Sequence, residues 1–234
     1  MPKPGPGGEE RMRTVVFDLD GTLADTSGDL VAAANACFRE MGAGDMLDPA
    51  RDAATAFRGG RAMLLLGLER LGRADDFAEV DRQYPLLLEA YAGAIDRHTV
   101  LYPGAMQAVA ALGQAGCRVA ICTNKPERLA RLLLERLGVL EAFGALIGAD
   151  TLPVRKPDPE PFREAVRRAG GVPERALLVG DTVTDRETSR SAGVPSVLVT
   201  FGPAGREVAA LEPEATIADF SELPGVVDRL LGRD

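Results

Sequence analysis

The sequence holds one histidine, His98, and three cysteines, Cys37, Cys117 and Cys122, in 234 residues. With a single histidine, no Ser-His-Asp site can avoid His98, and a histidine-rich metal cluster is excluded. His98 itself reads as a surface-loop residue. An odd, sparse cysteine count speaks against a disulfide framework. Cys117 and Cys122 lie five apart in an apolar run that reads as a strand, so they face opposite ways and do not chelate one ion. All three read as reduced core residues of a cytoplasmic protein. No apolar run approaches the roughly 18 residues needed to cross a bilayer. Basic residues are outnumbered, 27 against 35 acidic, for a net charge of −8. That disfavours nucleic acid or an anionic membrane as partner, and it suits carboxylates gathered around a cation. Residues 1–12 lack the apolar stretch of a secretory signal and read as a disordered tail.

Hydrophobic residues make up 46% of the chain and charged residues 26%, the balance of a globular protein of one domain, or one domain carrying an insertion. Continuous apolar runs alternate with helical patterns. The runs are Thr14–Phe17, Arg118–Cys122, Ala145–Gly148, Ala176–Val179 and Ser196–Val199. Strands that are apolar at every position belong to a sheet covered on both faces. Between them Leu129, Leu132, Leu133 and Leu137 mark one helical face, and Phe162, Ala165, Val166 and Ala169 another. The alternation predicts an α/β fold with a doubly wound, Rossmann-like parallel sheet. One stretch breaks it. From Ala24 to His98 only helical stripes occur: Leu30, Ala34, Cys37, Phe38, Met41; then Leu64, Leu65, Leu68, Leu71; then Val80 to Ile95. This predicts an inserted all-α cap over residues 25–98, with the core formed by 13–24 and 99–234. Asp25 and Asp29 stand where N-caps of the first cap helix are expected.

Ligands of such sheets sit at the carboxyl ends of the strands. After the first strand come Asp18, Asp20 and Gly21; after the second, Thr123, Asn124 and Lys125. Lys156 precedes a helix, and Asp181 and Asp185 follow the fourth strand. Two carboxylates 4 Å apart repel by about 4 kcal/mol at an effective dielectric of 20. Mg²⁺, a hard cation that prefers oxygen ligands, relieves that repulsion, and Lys156 adds a compensating charge. A substrate phosphate would meet Mg²⁺, Lys156, Thr123 and backbone N–H groups together. One carboxylate is then free to attack phosphorus and another to handle protons. Asn124 and Lys125 read equally well as phosphate neighbours or as a helix-initiating turn.

In order and spacing, Asp18-Leu19-Asp20-Gly21-Thr22-Leu23, Thr123-Asn124, Lys156-Pro157 and Gly180-Asp181 with Asp185 resemble the haloacid dehalogenase superfamily over about residues 14 to 230. Gly148–Pro153 running into Arg155-Lys156-Pro157, and Ala192–Ser196, resemble its phosphoglycolate phosphatase branch. The resemblance implies a phosphoric monoester hydrolase acting on a small-molecule phosphate ester. It implies Asp18 as nucleophile, Asp20 as acid and base, and Thr123 and Lys156 holding the phosphoryl group. It also implies Mg²⁺ on Asp18, the backbone carbonyl of Asp20 and Asp181, with Asp185 acting through water or from behind the ligands. Arg58 and Arg61 of the cap, flanking Gly59-Gly60, are expected to bind a substrate carboxylate. The alternatives are a sugar-phosphate mutase, a dehalogenase and a non-catalytic phosphate-binding protein. Asp20 disfavours the dehalogenase, and Asp18 together with Lys156 disfavours the non-catalytic protein.

Overall fold

The computed structural model describes residues 12–232. The tail expected over 1–12 lies outside them, apart from Met12. The chain divides into two compact units: Ala24–Val100, and the remainder running up to Leu23 and on from Leu101.

The larger unit is built on a six-stranded sheet. Its strands are β1 (Thr14–Phe17), then, past the paired strands β2 (Ala24–Asp25) and β3 (Val100–Leu101), β4 (Arg118–Cys122), β5 (Ala145–Ile147), β6 (Ala176–Gly180), β7 (Ser196–Val199) and β8 (Ala215–Ile217). Their order is β5-β4-β1-β6-β7-β8 and every pairing is parallel. β1 and β6 are buried at every position, as their unbroken apolar runs require. The chain winds outward from β1 through β4 to β5, then returns to β6 and winds the other way. The order therefore reverses beside β1, which is where ligands bind in such sheets.

Register fixes what meets there. Phe17 pairs with Ile121 on β4 and with Val179 on β6. Asp18 thus emerges level with the last residues of both neighbours, and its N–H donates to the Val179 carbonyl at 2.9 Å. The sheet is held in place by packing on one face. Val16, Ala120, Cys122, Ile147 and Leu178 form a buried cluster with Phe162, Ala165 and Val166 of a helix at Glu160–Arg168. At the far end of β1 the buried Arg13 pairs with Asp228 at 2.6 Å.

The smaller unit contains four helices, α1 (Ser27–Glu40), α2 (Ala53–Ala56), α3 (Gly60–Arg70) and α4 (Phe77–Gly93). The stripes expected from sequence are displaced slightly: Val31, Ala33, Ala34, Cys37 and Phe38 of α1 are buried, with Met63, Leu64, Gly67 and Leu68 of α3. Gly67 is needed for close approach, since a Cβ there would lie 2.1 Å from Phe38 Cζ. Asp29 is not the N-cap that its position suggested. The cap is Thr26, and the Asp29 carboxylate accepts from His98 N (3.0 Å), Thr99 N (2.8 Å) and Thr99 Oγ1 (2.9 Å). It ties the start of α1 to the end of the unit, a contact spanning 69 or 70 residues that local pattern does not encode. Among the described residues no helix is long and apolar enough to cross a membrane.

Candidate active site

Asp18 leaves β1 with its carboxylate fixed from two directions: Oδ1 accepts from Leu19 N at 2.7 Å and lies 3.1 Å from Lys156 Nζ. Lys156 is almost fully buried and reaches Asp185 Oδ1 at 2.7 Å with the same ammonium. Burial by itself would lower its pKa. The charges of Asp18 and Asp185 outweigh burial and raise it, so the lysine is held as a cation.

Asp185 is wholly buried at the start of a helix, Val183–Ala192. Its second oxygen accepts from Asp181 N (3.2 Å), Thr182 N (3.1 Å) and Thr182 Oγ1 (2.7 Å). This is a capping box of Thr182 and Asp185, with the acid at the positive end of the helix dipole.

Asp181 is equally buried. Thr22 Oγ1 donates to its Oδ1 at 2.7 Å, while Oδ2 has no hydrogen-bond partner. Gly21, at φ +84°, lies beside that oxygen. A Cβ on Gly21 would sit 2.4 Å from it, so only glycine leaves the space. Single oxygens of Asp18, Asp181 and Asp185 fall within 4.8 Å of one another. Burial, with Asp185 and Asp20 nearby, pushes the Asp18 carboxyl up to about 6, against the pull of Lys156. Burial and the neighbouring carboxylates raise Asp181 well above its ordinary value. Crowded acids raised together, all-oxygen donors and one orphaned buried oxygen are the features a hard divalent cation satisfies.

Thr123 follows β4, anchored by its N–H to the Ile147 carbonyl at 2.9 Å, and is buried. Asn124 Nδ2 donates to the Lys156 carbonyl at 3.0 Å, so it joins two site loops. Asp20 is partly open, and its Oδ1 accepts from Lys125 Nζ at 2.6 Å.

The fold therefore brings together Asp18, Asp20, Thr123, Asn124, Lys156, Asp181 and Asp185 in one unit. Arg58 and Arg61 belong to the helical unit and are exposed. Arg61 pairs with Asp81 at 2.6 Å and lies over the Tyr84 ring at 4.8 Å.

Two members of the site escaped the sequence argument: Thr22, which holds Asp181, and Lys125, which reads in sequence equally well as a phosphate neighbour or as part of a helix-initiating turn. A signal for Lys125 existed. Of the 27 basic residues only three are lysines, Lys3, Lys125 and Lys156, and two of those three follow strand ends. Cys122 lies next to Thr123, and burial pushes its thiol up to about 12, which makes it inert packing.

The sequence model of the haloacid dehalogenase-like hydrolases matches residues 12–193. A phosphoglycolate phosphatase of Mesorhizobium japonicum is 41% identical, over 89% of this chain and 92% of its own. One from Rhodospirillum rubrum is 39% identical, over 90% and 89%. Among solved structures, a predicted phosphoglycolate phosphatase from Haemophilus somnus superposes with a TM-score of 0.81 at 23% identity, covering 92% of this chain and 98% of that one. CbbY from Rhodobacter sphaeroides, solved in complex with phosphate, gives 0.69 at 22% identity over 91% and 96%. These two structures speak to the fold.

Proposed function

Since the chain belongs to the haloacid dehalogenase-like hydrolases, we propose that it hydrolyses a small phosphate monoester of the 2-phosphoglycolate kind through a phosphoryl group carried on Asp18. The observation behind this reading is the setting of Asp18: a carboxylate at the sheet's switch point, gripped by Leu19 N–H and by a buried lysine. An Asp18 oxygen attacks phosphorus, and the bond from phosphorus to the leaving oxygen breaks. Asp20 gives its proton to that oxygen, then takes one from water as the water attacks the aspartyl-phosphate. The Asp18–phosphorus bond breaks, inorganic phosphate leaves and Asp18 is restored. Thr123 and Lys156 hold the phosphoryl oxygens, and Lys156 also aims Asp18. Asn124 steadies the loop that carries Lys156.

The donor set fits Mg²⁺, held by oxygens of Asp18 and Asp181 and by the Asp20 carbonyl. Asp185, with both carboxylate oxygens occupied by donors, acts from behind by positioning Lys156 and the Asp181 backbone. When bound, the cation neutralises charge on the transferring phosphoryl group.

The substrate class rests on the names of the relatives and on the expected carboxylate grip of the helical unit. Arg58 is the stronger candidate for that grip, because Arg61 already has Asp81 and Tyr84 as partners within its own unit. The test is phosphate release from 2-phosphoglycolate and from other phosphorylated metabolites, with and without Mg²⁺. Turnover that prefers small carboxylate-bearing monoesters supports the reading. Binding of these esters without release of phosphate would leave a binding protein instead.

A further inference from the structure

Lys125 is, among the described residues, the lysine to which the reading above gives no task. Its side chain is buried at 4% exposure and its ammonium sits 2.6 Å from Asp20 Oδ1, while the Asp20 side chain keeps 19% exposure. A buried cation without a partner is strongly unfavourable, so this lysine is committed to a carboxylate. The partner is the residue read as the acid and base, 105 positions away in sequence.

The stem is fixed as well. Lys125 N–H donates to Thr123 Oγ1 at 3.2 Å, and its carbonyl accepts from Ala149 N at 2.9 Å. Pro126 follows with its constrained φ and starts the helix Glu127–Arg136. The ammonium is thus delivered from a rigid turn that also presents Thr123. Three of the site's four acids pair with a lysine, Asp18 and Asp185 with Lys156, Asp20 with Lys125.

We propose that Lys125 is a positioning residue for Asp20. It grips Oδ1 and turns the carboxyl so that the other oxygen exchanges the proton with the leaving group and then with water. The inference rests on the reading of Asp20 as acid and base. It assigns Lys125 no contact with phosphate, which separates it from the roles of Thr123 and Lys156.

The experiment measures kcat/KM, which reports the steps up to departure of the leaving group and not the later hydrolysis of the aspartyl-phosphate, together with the inhibition constant of inorganic phosphate, for Lys125→Met, Lys125→Gln, Lys125→Arg, Asp20→Asn and the Lys125→Met/Asp20→Asn double variant. The substrates are an alkyl phosphate, such as 2-phosphoglycolate, and p-nitrophenyl phosphate, whose leaving group needs little protonation. Lys125→Met should lower kcat/KM for the alkyl ester by about 10- to 100-fold, a part of the 10²–10⁴ that general acid–base catalysis contributes. It should lower kcat/KM for p-nitrophenyl phosphate much less and leave the inhibition constant of inorganic phosphate unchanged. Lys125→Arg, which keeps a cationic donor, should recover part of the loss. Adding Lys125→Met to Asp20→Asn should cost nothing further, because no carboxylate remains to be aimed. Should the methionine variant fail to fold by circular dichroism, Lys125→Gln is read by the same criteria. Equal losses of kcat/KM on both substrates, a raised inhibition constant for inorganic phosphate, or a full additional loss in the Asp20→Asn background would each overturn the inference. An Asp20→Asn variant that loses equally on both substrates overturns the reading of Asp20 and the inference with it. A selective Asp20→Asn beside an unselective Lys125→Met overturns the inference alone.

Discussion

Asp18 and Asp20 are two residues apart on one loop, yet the fold gives them different companions, and the proposed function gives them different work. Asp18 is buried against Lys156 and Leu19 N–H; Asp20 is more open and faces Lys125. Replacing Asp18 by Asn keeps the shape and removes the oxygen proposed to attack phosphorus. Turnover should fall by about 10⁴-fold or more, by analogy with other nucleophile deletions, with the circular dichroism spectrum unchanged. A variant that kept a tenth of the wild-type rate would remove Asp18 from the role. For Arg58 the expectation lies in KM. Arg58→Ala should raise KM for a carboxylate-bearing substrate by the equivalent of about 1.5–3 kcal/mol, the worth of a charged hydrogen bond, and should leave p-nitrophenyl phosphate unaffected. Kinetics unchanged on both substrates would end that assignment. At this scale the sequence was readable where a residue's partner is local or its motif is short. Asp18, Asp20, Asp181 and Asp185 announce themselves by spacing. Lys125 does not, because a lysine ahead of a proline looks like a helix start until the fold sets it against a residue from another strand.

At the scale of elements, the strands that carry the site were legible because β1, β4, β6 and β7 are apolar throughout or nearly so, and burial on both faces demands that. β8 was missed. It is three residues long, lies at the sheet edge, and follows the charged stretch around Glu212 and Glu214. The helical unit was legible as helices, while the ties that close it were not: Asp29 reaches His98 and Thr99, and Asp52 binds Arg70 through two bonds of 2.7 Å. The Arg70 hydrogen bonds and Asp48 N–H hold the Asp52 carboxyl below its ordinary value of 3.8, with burial opposing them. A lowered folded-state pKa means that the stabilisation is present above the unfolded value and is lost as pH falls through the folded one. Asp52→Ala should therefore destabilise the protein at pH 7 by about 1–3 kcal/mol, and the gap to wild type in thermal melts should narrow below pH 4. A gap independent of pH would place the effect outside the ion pair. Gly67→Ala drives a methyl into Phe38 and should cost about 1–3 kcal/mol by overpacking, read by the same melts; a neutral result would mean that α3 shifts freely.

For the whole molecule, a net charge of −8 coexists with a site where three acids are forced together and one buried oxygen lacks a partner. A cation there should serve stability as well as activity. Mg²⁺ at 100 times its dissociation constant should stabilise the protein by about 2.7 kcal/mol, and Asp181→Asn should abolish that shift. EDTA should silence phosphate release and Mg²⁺ restore it, with Ca²⁺, which takes more ligands at longer distances, a poor substitute. Full activity after exhaustive chelation would refute the cation site. The central claim is that Asp18 carries the phosphoryl group, and trapping that group tests it most directly. In Asp20→Ala, p-nitrophenyl phosphate should still phosphorylate Asp18, while hydrolysis of the acyl phosphate, deprived of its base, stalls. Quenching, reduction with borohydride and peptide mass spectrometry should then find homoserine at position 18 and at no other aspartate. Release of nitrophenol with Asp18 unmodified would contradict the account.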